Sequence, residues 1–150
     1  MPVARRARVR HALPVIDYRT TLEGIEPAQV EGFFDGWPMA PSADALLRVL
    51  QTSTFTVLAC EDDRVVGFVN ALSDGVLAVY IPLLEVRAAF RGQGIGTELV
   101  QHVLRHFAGT YMVDAVCDAA IAPFYERLGM IRLVGMAHRN RGATILQPAR

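Results

Sequence analysis

Residues Arg91-Gly92-Gln93-Gly94-Ile95-Gly96-Thr97 constrain this chain more than any other segment. They follow an apolar run, Val79 to Val86, and open a helical pattern from Thr97 to Phe107. A strand therefore feeds a helix through three alternating glycines, whose lack of side chains leaves backbone N–H groups open. Such a junction points a helix N-terminus, with its partial positive charge, at whatever lies above it; phosphate or pyrophosphate is the natural ligand. Glycines that merely let the chain turn give the same count, because short glycine motifs are weak signals. Spacing removes two nucleotide-binding alternatives. A P-loop requires Lys-Ser/Thr after its last glycine, where this chain has Thr97-Glu98. A dinucleotide fingerprint requires G-x-G-x-x-G after the first strand, whereas this run is G-x-G-x-G and lies past the middle of the chain.

The remaining sequence alternates short strand and helix patterns. Val15 to Arg19 reads as a strand, and Pro27 opens a short helix with Val30, Phe33 and Phe34 on one face. Asp35-Gly36-Trp37-Pro38 ends it by turn chemistry, and Ser42 caps a second helix, Ala43 to Leu50. Thr54 to Cys60 and Val65 to Leu72 form a hairpin about Glu61-Asp62-Asp63-Arg64, and Ser73-Asp74-Gly75 turns the chain into Leu77 to Arg87. After the glycine loop and its helix come a strand, Met112 to Cys117, a helix, Ile121 to Leu128, and a strand, Ile131 to Ala137. Pro82 falls inside the strand that should be most central. Proline cannot donate to a ladder, so the pairing is expected to break there, at a bulge.

Composition bounds the function classes. A chain of 150 residues with 52% hydrophobic and 20% charged residues predicts one globular domain. Its formal net charge of zero gives no support for a nucleic-acid or membrane surface. Arg5, Arg6, Arg8 and Arg10 form a basic N-terminus over residues 1–14, read as frayed rather than as a targeting segment. No apolar run of about 18 residues occurs, so the expectation is a soluble, cytoplasmic protein. Cys60 and Cys117 lie in apolar runs and read as buried core fillers. His102 and His106 are spaced i,i+4 but lack the Glu of His-Glu-x-x-His, so they read as solvated helix residues and no metal site is expected.

Arg91, Gly94 and Gly96 meet the pattern Arg/Gln-x-x-Gly-x-Gly/Ala. With Leu84-Glu85-Val86 upstream and Phe124-Tyr125-Glu126-Arg127-Leu128-Gly129-Met130 downstream, the chain resembles the GNAT family of N-acetyltransferases over about residues 15 to 138. The resemblance implies an α/β (α+β) acyl-CoA N-acyltransferase fold. A mixed central sheet of about six to seven strands is flanked by about four helices, with the central strands splayed. It implies acetyl-CoA as cosubstrate, with the pantetheine arm in the gap that Pro82 opens. Leu84 and Val86 then present main-chain atoms to the arm. Gly92, Gly94 and Gly96 let the N–H groups of Gln93, Gly94, Ile95, Gly96 and Thr97 reach the pyrophosphate, while Arg91 adds charge and Thr97 a hydroxyl. Asp118 stands where the family usually has Asn, so it can accept but not donate through an amide.

Acetyl transfer to an alkylamine has a protonation problem, because an amine of pKa near 10.4 is only about one part in 10³ neutral at pH 7. A base must take a proton. Glu85, at the splay, is the leading candidate; an ion-paired carboxylate, with Arg87 or Arg91, is the alternative. Asp74 and Asp35 are substitutes from flanking loops. Tyr80 stands where some relatives carry a catalytic Glu, so that role does not carry over. Tyr125 is the residue that the resemblance puts beside the departing CoA sulfur. The reading is therefore an acetyl-CoA-dependent N-acetyltransferase acting by direct transfer in a ternary complex. Its acceptor is a primary amine of a small molecule or protein, and its assembly allows a homodimer. A non-catalytic acyl-CoA-binding sensor of the same fold is the alternative.

Overall fold

The computed structural model describes residues 15–143. The basic N-terminus expected over residues 1–14 lies outside them. Five strands lie in the order β1-β2-β3-β4-β5: Ile16–Arg19, Phe55–Glu61, Arg64–Ser73, Ala78–Val86 and Met112–Ala115. The first four are antiparallel neighbours, and β5 runs parallel to β4, so the sheet is mixed. Three α-helices accompany it: α1 (Ala43–Thr52), α2 (Ile95–His106) and α3 (Ala122–Glu126). This is the α+β architecture expected, with fewer strands than the resemblance implies.

β2 and β3 are buried on both faces, which explains their almost unbroken apolar sequence. Successive residues feed two cores. Leu58, Cys60 and Phe68 pack under α1, with Val30, Phe33 and Phe34, while Val57, Ala59, Val66 and Val69 pack under α2 with Leu99, Val100 and Val103. Ser42 starts α1 as anticipated, its Oγ accepting the Ala45 N–H at 3.2 Å. Helix α2 begins two residues earlier than its apolar pattern suggests, at Ile95, because Gly94 adopts φ 83° and turns the chain directly into it.

Several expectations are corrected. Pro27–Val30 forms only a single 3-10 turn, and Phe33 and Phe34 follow in a loop with positive φ at Gly32, Phe34 and Gly36 that no helix continues through. Ile131 to Ala137 is not a strand. A strand exists by pairing with an edge, and none of the described residues pairs with this segment; Ile131, Leu133, Val134 and Met136 are 72% or more exposed. Cys60 is buried, but Cys117 lies beyond the end of β5 and is exposed. Of the two helix histidines, His106 is exposed as expected and His102 is half-buried. His106 stacks on Phe55 at 3.8 Å, and His102 packs near Tyr18 with its Nε2 3.6 Å from Glu98.

Candidate active site

The two parallel strands, β4 and β5, pair only from Ala78 with Met112 to Ile81 with Ala115. β4 then runs on to Val86 with β3 as its sole neighbour among the described residues. The register between β3 and β4 shifts between Asn70 and Leu72, so Ile81 and Pro82 together stand opposite Ala71. That is a bulge at the position of the proline, as the missing donor predicted. Beyond it, main-chain groups alternate in direction along the strand. The Leu83 N–H points to β3, where Asn70 Oδ1 accepts it at 3.1 Å, and the Arg87 N–H bonds Val66 O on the same side at 2.8 Å. By alternation, the N–H and C=O of Leu84 and Val86 face the open gap. Arg91 Nε already holds the Val86 carbonyl at 2.9 Å. Leu84 thus offers both groups to the gap, and Val86 its N–H.

The glycine loop closes one end of this gap. Gly92 and Gly94 have φ of 74° and 83°, a conformation that disfavours any side chain. A Cβ at either position would meet no protein atom within 4 Å, so the space in front of the loop is open. The first helical bond is from Glu98 N–H to Gly94 O, which leaves the N–H groups of Ile95, Gly96 and Thr97 without helical partners. Ile95 contributes only its backbone, since its side chain is core. A Cβ on Gly96 would sit at ordinary contact distance, 3.7 Å, from the Phe124 ring. Packing alone therefore does not demand a glycine there. Open N–H groups and a helix dipole from 12 residues suit the cradle to an anion; the Arg91 guanidinium is tied to Val86 O and lines the cavity that holds Glu85.

Tyr125 lies on α3, a helix entered by a turn in which Ile121 N–H bonds Asp118 O at 2.8 Å. It lines a cavity of about 290 Å³ together with Ala115, Cys117 and Met130. Burial, reinforced by the neighbouring Cys117 and Tyr80 groups, pushes its phenol up to about 12. Tyr80, set aside on sequence grounds, is therefore a neighbour of Tyr125 at the mouth of the fork. The signal that could have found it is its place two residues before Pro82. Asp118 is exposed at the start of the turn.

Glu85 lines a second cavity, of about 210 Å³, with Phe33, Phe34 and Asp35 of the loop and with Arg64, Arg87 and Arg91. Burial raises its carboxyl above the usual 4.5, and the charge of Arg91 pulls the other way. Glu85 belongs to none of the ion pairs among the described residues. Arg87 is occupied elsewhere: it donates to Val65 O at 2.7 Å and Gln29 O at 3.2 Å, and its guanidinium lies over the Phe33 ring at 4.3 Å. Phe34 is held at φ 66°, a strained conformation for an aromatic residue and one that recurs at binding sites. Neither cavity has both Glu85 and Tyr125 in its wall: Glu85 stands on the α1 face of β4 and Tyr125 packs with the α2 core. Asp74 is a turn residue rather than a spare base. Its Oδ1 accepts the N–H groups of Val76, Leu77 and Ala78 at 2.8, 2.8 and 3.1 Å, which hold its carboxyl below the usual range. Sequence reading also missed Asn70, buried at the bulge.

Known proteins share this fold. The profile of the acetyltransferase (GNAT) family matches residues 22–130. A crystal structure of a candidate acetyltransferase from Deinococcus radiodurans R1 is 50% identical, with a TM-score of 0.84 over 89% of this chain and 94% of that one. A GNAT family acetyltransferase from Streptococcus pneumoniae TIGR4 is 26% identical, with a TM-score of 0.69 over 85% of this chain and 99% of that one. N-alpha-acetyltransferase 30 of Schizosaccharomyces pombe is 34% identical over 93 residues, 56% of this chain; the match spans 62% of that relative's length.

Proposed function

This chain belongs to the GNAT family of acetyltransferases, and from that premise we propose that it moves the acetyl group of acetyl-CoA to an α-amine at a peptide N-terminus, by direct transfer in a ternary complex. The observation that carries the cosubstrate reading is the fork itself, where a stretch of β4 unpaired on its β5 side meets an open glycine cradle. The donor set fits acetyl-CoA: N–H groups and a guanidinium for the pyrophosphate, alternating main-chain groups for an amide-bearing arm, and a phenol at the far end. When bound, acetyl-CoA supplies an activated acetyl thioester.

The protein's own groups then divide the work. Ile95, Gly96 and Thr97 N–H groups and Arg91 hold the phosphates. Leu84 C=O and Val86 N–H align the arm, and Leu84 N–H, the first open donor past the bulge, aims at the oxygen on which negative charge develops. Tyr125 hydrogen-bonds the departing sulfur. Glu85 takes the amine proton, directly or through water. An α-amine suits this base. With a pKa near 7.7–8.0 it is about a tenth neutral at pH 7, against about one part in 10³ for a lysine side chain. Burial raises the Glu85 carboxyl above its usual range, which makes it the stronger base for that lighter task. The match to N-alpha-acetyltransferase 30 supports the same acceptor class. A cytoplasmic homodimer completes the proposal, and the exposed apolar side chains of Leu133, Val134 and Met136 support self-association.

Thiol release from acetyl-CoA, measured with a peptide panel, tests this reading. Peptides with a free α-amine should turn over, with kcat/KM falling first as the amine protonates below about 8 and then more steeply through a second limb above 4.5; Glu85→Gln should remove only the second limb. Turnover confined to lysine side chains or to small amines would reject the α-amine class. Tight acetyl-CoA binding without turnover of any amine would leave the sensor reading in its place.

A further inference from the structure

Asn70 is 1% exposed, on β3 opposite the bulge, and its amide is spanned from both sides. Oδ1 accepts the Leu83 N–H at 3.1 Å, and Nδ2 donates to Ser53 Oγ at 2.9 Å. Ser53 Oγ in turn donates to Val49 O, in the last turn of α1, at 2.7 Å. The chain of donors runs one way only. Leu83 N–H needs an acceptor and the Ser53 proton is committed to Val49, so the Asn70 amide has a single satisfied orientation.

The need for this side chain follows from the bulge. Pro82 has no N–H, and the two residues standing opposite Ala71 displace Leu83 from the regular ladder. Asn70 Oδ1 serves as the acceptor for the first N–H after that interruption. A backbone donor fixed toward β3 at Leu83 forces the next peptide group, at Leu84, to face the gap. We propose that Asn70 is a positioning residue: its amide, braced on the end of α1 through Ser53, sets the direction of the Leu84 main-chain groups that hold the acyl-bearing arm. Asn70 does not touch the ligand itself. The same relay joins α1 to the strand edge that carries the arm.

The inference takes its ligand from the proposed acetyl-CoA reading, while its geometry stands independently. The test compares acetyl-CoA with adenosine 3′,5′-bisphosphate, which carries phosphates for the glycine cradle but no pantetheine arm. Calorimetric titration of Asn70→Leu should show acetyl-CoA binding weakened about tenfold, the equivalent of one buried hydrogen bond. Bisphosphate binding should be unchanged, and amide exchange at Leu83 faster. Asn70→Asp keeps an oxygen for Leu83 and should recover most of the acetyl-CoA affinity. Ser53→Ala removes the brace and should shift acetyl-CoA affinity in the same direction as Asn70→Leu, by less.

Undiminished acetyl-CoA binding in Asn70→Leu, or equal loss of both ligands, would overturn the proposal. If Asn70→Leu does not fold, the Ser53→Ala and Asn70→Asp pair decides by the same comparison of ligands. A wild-type protein that binds the bisphosphate but not acetyl-CoA would remove the functional reading instead. Exchange rates then still judge Asn70: unchanged protection of Leu83 in a folded Asn70 variant overturns its positioning role.

Discussion

At Tyr125 the direction of the pKa shift limits the chemistry. A phenol pushed up to about 12 would give its proton to a thiolate of pKa about 8.5 only against a cost of about 5 kcal/mol. Hydrogen bonding to the sulfur needs no such transfer. Tyr125→Phe should therefore lower kcat about 10- to 100-fold, as for loss of one charge-assisted hydrogen bond, and leave acetyl-CoA affinity nearly unchanged. The protonated donor is lost only as pH rises through about 12, so the wild-type rate should show no tyrosine limb between pH 7 and 10. Unchanged kcat in the variant would remove the role. Tyr125 came from the family resemblance and its role is a proposal, whereas the left-handed turn at Gly94 was legible in the sequence because backbone geometry restricts which residue can stand there. Asn70 was not, because its role depends on Leu83, thirteen positions away, and on a bulge that displaces its partner. Asp74 misled for a related reason: three local N–H groups turn a free-looking carboxylate into a turn cap.

The elements divide in the same way. Pro82 announced the broken ladder from its own chemistry, and the hairpin about Asp62-Asp63 and the apolar face of α2 were equally local. The segment Ile131–Ala137 was not legible, since its apolar sequence describes a candidate strand and pairing belongs to the edge it meets. Among local elements, the glycine loop makes the sharpest prediction. Gly94→Ala forces a β-carbon into a left-handed residue, at a backbone cost of about 1 kcal/mol. The added methyl touches no protein atom, yet it enters the space proposed for phosphate. Gly75, with φ 77° and equally open surroundings, lies in the turn at the opposite end of β4. Gly75→Ala should lose similar stability and keep acetyl-CoA binding, while Gly94→Ala should bind at least tenfold more weakly. Equal affinities, by calorimetry, would place the phosphates elsewhere.

At the scale of the whole molecule, the fork is a defect between two well-packed cores. The α1 core and the α2 core share one sheet, and that sheet gives up its β4–β5 pairing along Leu83–Val86, which stay bonded to β3. In the proposed pose acetyl-CoA bonds the open edge of β4 and bridges it to the N-terminus of α2. Only the folded chain offers this arrangement, so binding must stabilise it, by about 2.7 kcal/mol at a ligand concentration 100 times Kd. For a domain of this size each kcal/mol raises Tm by roughly 2–4 °C, so acetyl-CoA should raise Tm by about 5–10 °C under those conditions. The rise should grow with the logarithm of ligand concentration above Kd, and adenosine 3′,5′-bisphosphate, which leaves the fork open, should give less at matched concentration. Scans at several protein concentrations separate this from self-association, because a dimer coupled to folding raises Tm with protein even without ligand. A Tm that ignores millimolar acetyl-CoA at every protein concentration would mean that the fork does not bind the arm.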